Sequence, residues 1–274
     1  MTGSRPASVP AVSCGESDPP VPAVDERVIT AHLAGGPVTY TLRHSPRARS
    51  LRVVIHPERG VVVTVPATRA GRNEGERRAR AFLVDREPWI RRHLARHADT
   101  AAVLAARGGA RDGGEIPYRG RLTRIRVVPA VSGVRRSDVS AFDDELVVHR
   151  VARDQRPEAA ILERWLRARA AEGIGAAITR HAGPLGVAPG PVTLRDPRTR
   201  WGSASRSGRL SFSWRLILAP DEALDAVVVH ELAHLRVFGH GPRFWAVVAT
   251  RRPDHRVWRR WLHDHAAELH GALG

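Results

Sequence analysis

The run DAVVVHELAHL, Asp225 to Leu235, constrains the fold more than any other part of the chain. Leu224, Val227, Val228 and Leu235 recur at helical spacing, so the segment reads as a helix with a buried apolar stripe. His230 and His234, four residues apart, project from one face of that helix one turn apart. Upstream, Pro220 suits a first helical position, and Asp221 and Glu222 complement the positive end of the helix dipole.

Two imidazoles at this spacing can each reach one metal ion at about 2.0 to 2.1 Å, and the glutamate between them can reach a metal-bound water instead of the metal. A catalytic zinc site takes three protein ligands and leaves a fourth position open. His240, six residues after His234, supplies the third ligand, with Gly239 and Gly241 giving the backbone freedom to end the helix and turn the ring back. The pattern H-E-x-x-H arises by chance in a chain of this composition about 4% of the time, and a histidine at one fixed later position lowers that to about 0.2%. The bland alternative, two histidines packed inside a core helix with Glu231 in solvent, loses to the metal reading on those odds.

The rest of the chain reads as α+β. Residues 1 to 28 mix Pro, Ser, Gly and Val without periodicity and are expected to be a disordered tail. From Val38, VTYTL and then LRVVIHPERGVVVTVP read as a β-hairpin or meander stopping at Pro66. Residues 73 to 98 are helical, with Pro88 marking a break or a fresh first turn, and the glycine-rich stretch Arg107 to Gly114 is a linker. Strands resume at RLTRIRVV and ELVVHR. A second helix from about Pro157 to His181 ends near Gly183 and Pro184, and three short strands follow in PVTLRD, TRWGSAS and GRLSFSW. Leu210, Phe212 and Trp214 share one sheet face there, with Ser211, Ser213 and Arg215 on the other. No repeat of fixed period is visible. The expected division is a tail over 1–28, a β-rich region over 29–150 and a catalytic core over 151–274.

The net charge of +16 would ordinarily point to a polyanionic partner. Every basic residue is arginine and none is lysine, which looks like a bias acting along the whole chain, and no nucleic-acid motif accompanies it. Nucleic acid is therefore a possible partner without a motif to support it. Cys14 is the single cysteine, which excludes a disulfide framework and a thiolate zinc site and fits a reducing compartment. No apolar run approaches the length of a membrane span, so the protein is expected to be soluble and cytoplasmic.

Trp201, Phe244, Trp245, Trp258 and Trp261 read as core, with Phe244 and Trp245 packing the following helix onto the metal helix. His255, His263, His265 and His270 fall on an arginine-rich C-terminal helix and read as a solvated face. Arg200 and Arg215 read as surface ion-pair residues and are left out of the catalytic set.

The run TRWGSASRSGRLSFSWRLILAPDEALDAVVVHELAHLRVFGHGPRFW closely resembles the signature of the YgjP-like metallopeptidases. The W-G-S segment, W-R-L-I-L-A-P, V-V-H-E-L-A-H-L and the later H-x-x-x-F-W occur in order, and the resemblance extends more weakly to residues 38–66 and to Pro88-Trp89-Ile90. It implies a zincin-like core of minigluzincin type, related to gluzincin and SprT-like peptidases, with His230, His234 and His240 as zinc ligands and Glu231 as the catalytic residue. Two positions depart from the family pattern: Ala204 stands where members usually carry Cys, and Ser213 where Asn is common.

The activity expected first is peptide-bond hydrolysis on a peptide or protein substrate by zinc-activated water, with Glu231 as general base and Leu210 to Ser213 either pairing with an extended peptide or lying inside the sheet. The second is nucleotide pyrophosphohydrolysis, because some members carry a UTP pyrophosphatase label. No glycine-rich phosphate loop and no carboxylate cluster for magnesium supports it. The third is a DNA-associated protease or binding module.

Overall fold

The computed structural model describes residues 25–56, 59–67 and 72–274. The chain divides into two compact units, Met1–His93 and Leu94–Gly274.

In the first unit, β1 (Asp25–Leu33) and β2 (Gly36–Ser45) form an antiparallel hairpin, β4 (Gly60–Pro66) runs parallel to β2, and β3 (Arg52–His56) pairs antiparallel with β4. Val38, Tyr40 and Leu42 alternate inward along β2, as do Val61, Val63 and Val65 along β4. The strand β1 begins at Asp25, inside the stretch expected to be a tail; the remainder of that expectation, residues 1–24, lies outside the described residues.

Helix α1 (Arg72–Arg107) follows and runs unbroken through Pro88. The expected break is absent: proline removes one N–H from the helix ladder, and the buried face of Ala79, Leu83 and Ile90 carries the helix across that gap. Glu87, one residue earlier, accepts hydrogen bonds from the backbone N–H groups of Ala34 (3.2 Å) and Gly35 (2.8 Å) and from Arg91 Nε (2.7 Å), which pins the helix to the β1–β2 turn.

The second unit opens with β5 (Glu115–Tyr118), β6 (Arg121–Pro129), β7 (Asp138–Ala141) and β8 (Glu145–Arg150), in the order β5-β6-β8-β7. Strand order and pairing senses repeat those of the first sheet, whose order is β1-β2-β4-β3, and a long helix follows each. The two sheets share an alternation of apolar residues and not residue identities, so this structural repeat does not show in the sequence. Ile116, Ile125, Leu146 and Val148 join one buried cluster with Ile161, Leu162 and Leu166 of α2 (Glu158–Leu185), so the sheet shares its core with the C-terminal helices. Helix α2 contains Pro184 and ends one residue later at Leu185, with Gly186 capping it in the left-handed conformation (φ 63°).

Then come β9 (Val192–Arg195), β10 (Gly202–Ala204) and β11 (Leu210–Ser213), a 3₁₀ turn over Trp214–Leu218, α3 (Asp221–His234), α4 (Pro242–Arg251), α5 (His255–Asp264) and α6 (Ala266–Gly271). Pro220 precedes α3 in extended conformation as its cap instead of opening it. The three-stranded sheet has the order β10-β11-β9, with β10 antiparallel and β9 parallel to the central β11. Of the two alternatives for Leu210 to Ser213, the inner-strand one is observed, since both of its edges are occupied. Leu210, Phe212 and Trp214 are buried as expected, but Ser213 is buried too, its hydroxyl accepting the N–H of Arg215 at 3.3 Å. With three sheets and six α-helices among the described residues, the chain is mixed α and β. No described helix is long and apolar enough to cross a membrane.

Candidate metal centre

Helix α3 carries the site because its burial is nearly complete on one side. Ala223, Leu224, Val228 and Leu232 face the main core, while Val229 and Ala233 meet Phe244 and Val248 of α4. His230 and His234 emerge between these faces, His234 as the last helical residue. The chain then turns through Gly239, at φ 92° in the region open chiefly to glycine, and returns His240 to the helix just before α4 begins at Pro242.

The three imidazoles converge. His230 Nε2 lies 3.2 Å from His234 Nε2 and 3.1 Å from His240 Nε2, and one ring nitrogen from each falls within 4.8 Å of the other two. Tetrahedral ligation at the usual Zn–N length sets neighbouring nitrogens about 3.3 Å apart. The donor set therefore fits a single ion of that size. His234 Nδ1 donates to the carbonyl of Val237 at 3.4 Å, which leaves its Nε2 lone pair facing the other two rings. Burial, reinforced by the neighbouring His234 and His240, holds His230 down to about 3, so it is neutral and able to ligate at physiological pH.

Phe244, fully buried, supports all three rings: it stacks on His234 at 4.3 Å and meets His230 and His240 edge-on at 4.9 Å each. The expectation that Phe244 and Trp245 join the following helix to α3 holds for both: Phe244 through this packing, and Trp245 against the cluster that holds Val229 and Ala233, with its ring 5.6 Å from that of His230.

Glu231 and His230 line one cavity of about 250 Å³, with Trp201, Trp245 and Arg259 among its walls. Burial pushes the Glu231 carboxyl up to about 7, and Arg200 acts in the opposite direction. The site therefore gathers three imidazoles for a cation and a carboxyl that exchanges a proton near neutrality.

Three features were not legible beforehand. Gly202 on β10 abuts Glu231. Arg200, assigned to the surface, is exposed yet lines the Glu231 cavity. His255, assigned to a solvated face, stacks on Trp245 at 4.9 Å and lines the same cavity, and His270 stacks on Trp201 at 5.1 Å. The C-terminal segment is two helices and not one, with His255 opening the first and His270 near the end of the second. Arg215 does form the expected ion pair, bidentate to Asp196 at 2.7 and 3.1 Å. Ala204 lies on β10, outside the three-histidine group.

A model of the YgjP-like family, its metallopeptidase domain, matches residues 49–265. The chain belongs to that family. The match spans all three histidines, Glu231 and both of the flanking segments that build the cavity, so this YgjP-like chain is a metallopeptidase-domain protein with a three-histidine group able to bind a metal ion. No curated protein and no solved structure matches it.

Proposed function

We propose that this YgjP-like protein is a zinc-dependent peptidase with a zincin-like core, in which His230, His234 and His240 hold the metal and Glu231 is the general base. The observation that carries this reading is the convergence of three imidazole nitrogens at ligand spacing beside a buried carboxyl on the same helix.

Zinc, when bound, supplies Lewis acidity that lowers the pKa of water and polarises a scissile carbonyl. The chain's own residues do the rest. Glu231, poised near neutrality by burial, accepts a proton from the attacking water and delivers it to the departing amine. Phe244 locks the three rings by packing, so the ligand set is held in place ahead of binding. The strand beside Glu231 is β10, an outer strand of its sheet, and it takes over the peptide-pairing role first considered for Leu210 to Ser213.

The deciding experiment assays the zinc-loaded protein side by side on a peptide library and on nucleoside triphosphates. Metal-dependent peptide cleavage is the expected result. Triphosphate hydrolysis without peptide cleavage would replace this reading with a pyrophosphohydrolase.

A further inference from the structure

The small sheet has two unlike faces. Its register aligns Gly202, Phe212 and Leu194 in one row across β10, β11 and β9, and Ser203, Ser211 and Thr193 in the next. The first row turns inward, with Phe212 fully buried and Gly202 against Glu231. The second therefore turns outward and lines up the hydroxyls of Ser203, Ser211 and Thr193, the last of which donates to the carbonyl of Leu210 at 3.4 Å. Two residues along on the same face stand Arg195 and Arg209, and Arg200 enters from the loop before β10; together they border an open cleft of about 680 Å³.

These arginines are not explained by folding. Between Gly186 and Pro220 the chain carries six arginines and a single carboxylate, Asp196, which Arg215 occupies. Among the described residues, no ion pair or hydrogen bond engages the guanidinium of Arg195, Arg200 or Arg209. Three guanidinium groups without an ion pair, bordering the hydroxyls of Ser203 and Ser211, form a receptor for anionic groups.

The cleft also communicates with the metal centre, since Arg200 lines both it and the Glu231 cavity. A peptide paired along the outer edge of β10 sends alternate side chains to the two faces of the sheet: one set toward Glu231, the other toward the arginines. Arg209 and Arg195 lie about four residues apart along the strands, roughly 13 Å, and same-face side chains of an extended chain recur about every 7 Å. No aromatic residue lines the cleft, so it lacks the stacking platform that single-stranded nucleic acid uses.

We infer that the outer face of this sheet docks an acidic segment of the peptide substrate, with Asp or Glu side chains at alternate positions engaging Arg195, Arg200 and Arg209. That the docked peptide is a substrate rests on the peptidase reading; that the face binds acidic peptides does not.

The test is fluorescence anisotropy with full-length protein carrying Glu231→Gln, which prevents turnover, and two labelled peptides that differ only in three alternate Glu or Gln residues. At about 50 mM salt the Glu peptide should bind at least about tenfold tighter, and the advantage should shrink at about 0.5 M. Arg195→Gln with Arg209→Gln should erase the advantage, whereas Arg135→Gln with Arg136→Gln, exposed arginines in another loop, should preserve it. Equal binding of the two peptides would overturn the inference, and that comparison needs no arginine variant. A single-stranded oligonucleotide that binds through the same arginines while the Glu peptide does not would overturn it as well. If charge-dependent binding holds but the wild-type protein cleaves no peptide, the docking face stands and the peptidase reading falls; cleavage without charge-dependent binding removes only the docking face.

Discussion

Gly202 and Glu231 touch: a methyl group added to Gly202 would stand 2.6 Å from Glu231 Oε1 and 2.7 Å from its Cγ. No real side chain tolerates that approach, so Gly202→Ala must push the Glu231 carboxylate aside. The backbone at 202 needs no special conformation, which confines the damage to this contact. Hydrolysis should fall by about 10²-fold, the cost of misplacing a reacting group by about 1 Å, while zinc content stays at the wild-type level. Full activity in this variant would mean that the position of Glu231 does not matter to the reaction.

The three ligands should be separable by metal analysis. Purified protein should carry about one zinc per chain, and His230→Ala or His234→Ala should lose it. His240→Ala should bind far more weakly. Unchanged affinity in that variant would place the third ligand elsewhere.

What was legible in the sequence follows from distance along the chain. His230, Glu231 and His234 lie within one and a half turns of helix, so their geometry is local and periodicity alone sets it. His240 is close enough for Gly239 to signal its return. Gly202 meets Glu231 only because β10 is laid beside α3, and nothing in W-G-S announces that pairing. Arg200 is exposed, as composition marks it, but forms no ion pair among the described residues and lines a cavity instead. His255, which composition places on a solvated face, stacks on Trp245 and lines the same cavity, and both outcomes depend on tertiary packing. Pro88 erred in the opposite direction, its local signal overridden by the buried face of α1.

Asp225, five residues before His230 on α3, should matter for stability and not for chemistry. Its buried carboxylate accepts hydrogen bonds from His181 Nε2 (2.8 Å), Arg180 (2.8 Å) and Arg252 (3.1 Å), while Arg251 Nε donates to His181 Nδ1 at 3.2 Å. Those bonds are self-consistent with a neutral His181 protonated on Nε2. Asp225→Ala strands His181 without its acceptor and leaves Arg252 with Asp254 alone, at 2.8 Å, and should cost about 3 kcal/mol in urea unfolding. A loss below about 0.5 kcal/mol would show that this network is not integral to the core.

Acid should weaken the first unit through Glu87. The backbone N–H of Gly35, with further help from Arg91 and Ala34 against the opposing effect of burial, holds its carboxyl below the usual value. A carboxyl with a lowered folded pKa contributes stability that is present above its unfolded value, about 4.3, and is lost as pH falls through the folded one. Thermal melts of wild type and Glu87→Gln should therefore differ at pH 7 and begin to converge only as pH falls below about 4.3 and on through the lowered folded value. A constant difference across that range would contradict the assignment.

The most direct measurement pairs zinc content with turnover in Glu231→Gln. Glutamine keeps the size and hydrogen-bonding ability of the side chain but cannot accept a proton. Zinc content and folding should remain near wild type while peptide hydrolysis falls by about 10² to 10⁴, the range for a positioned acid–base group. Loss of metal as complete as in His230→Ala, or retention of both metal and full turnover, would contradict the role given to Glu231.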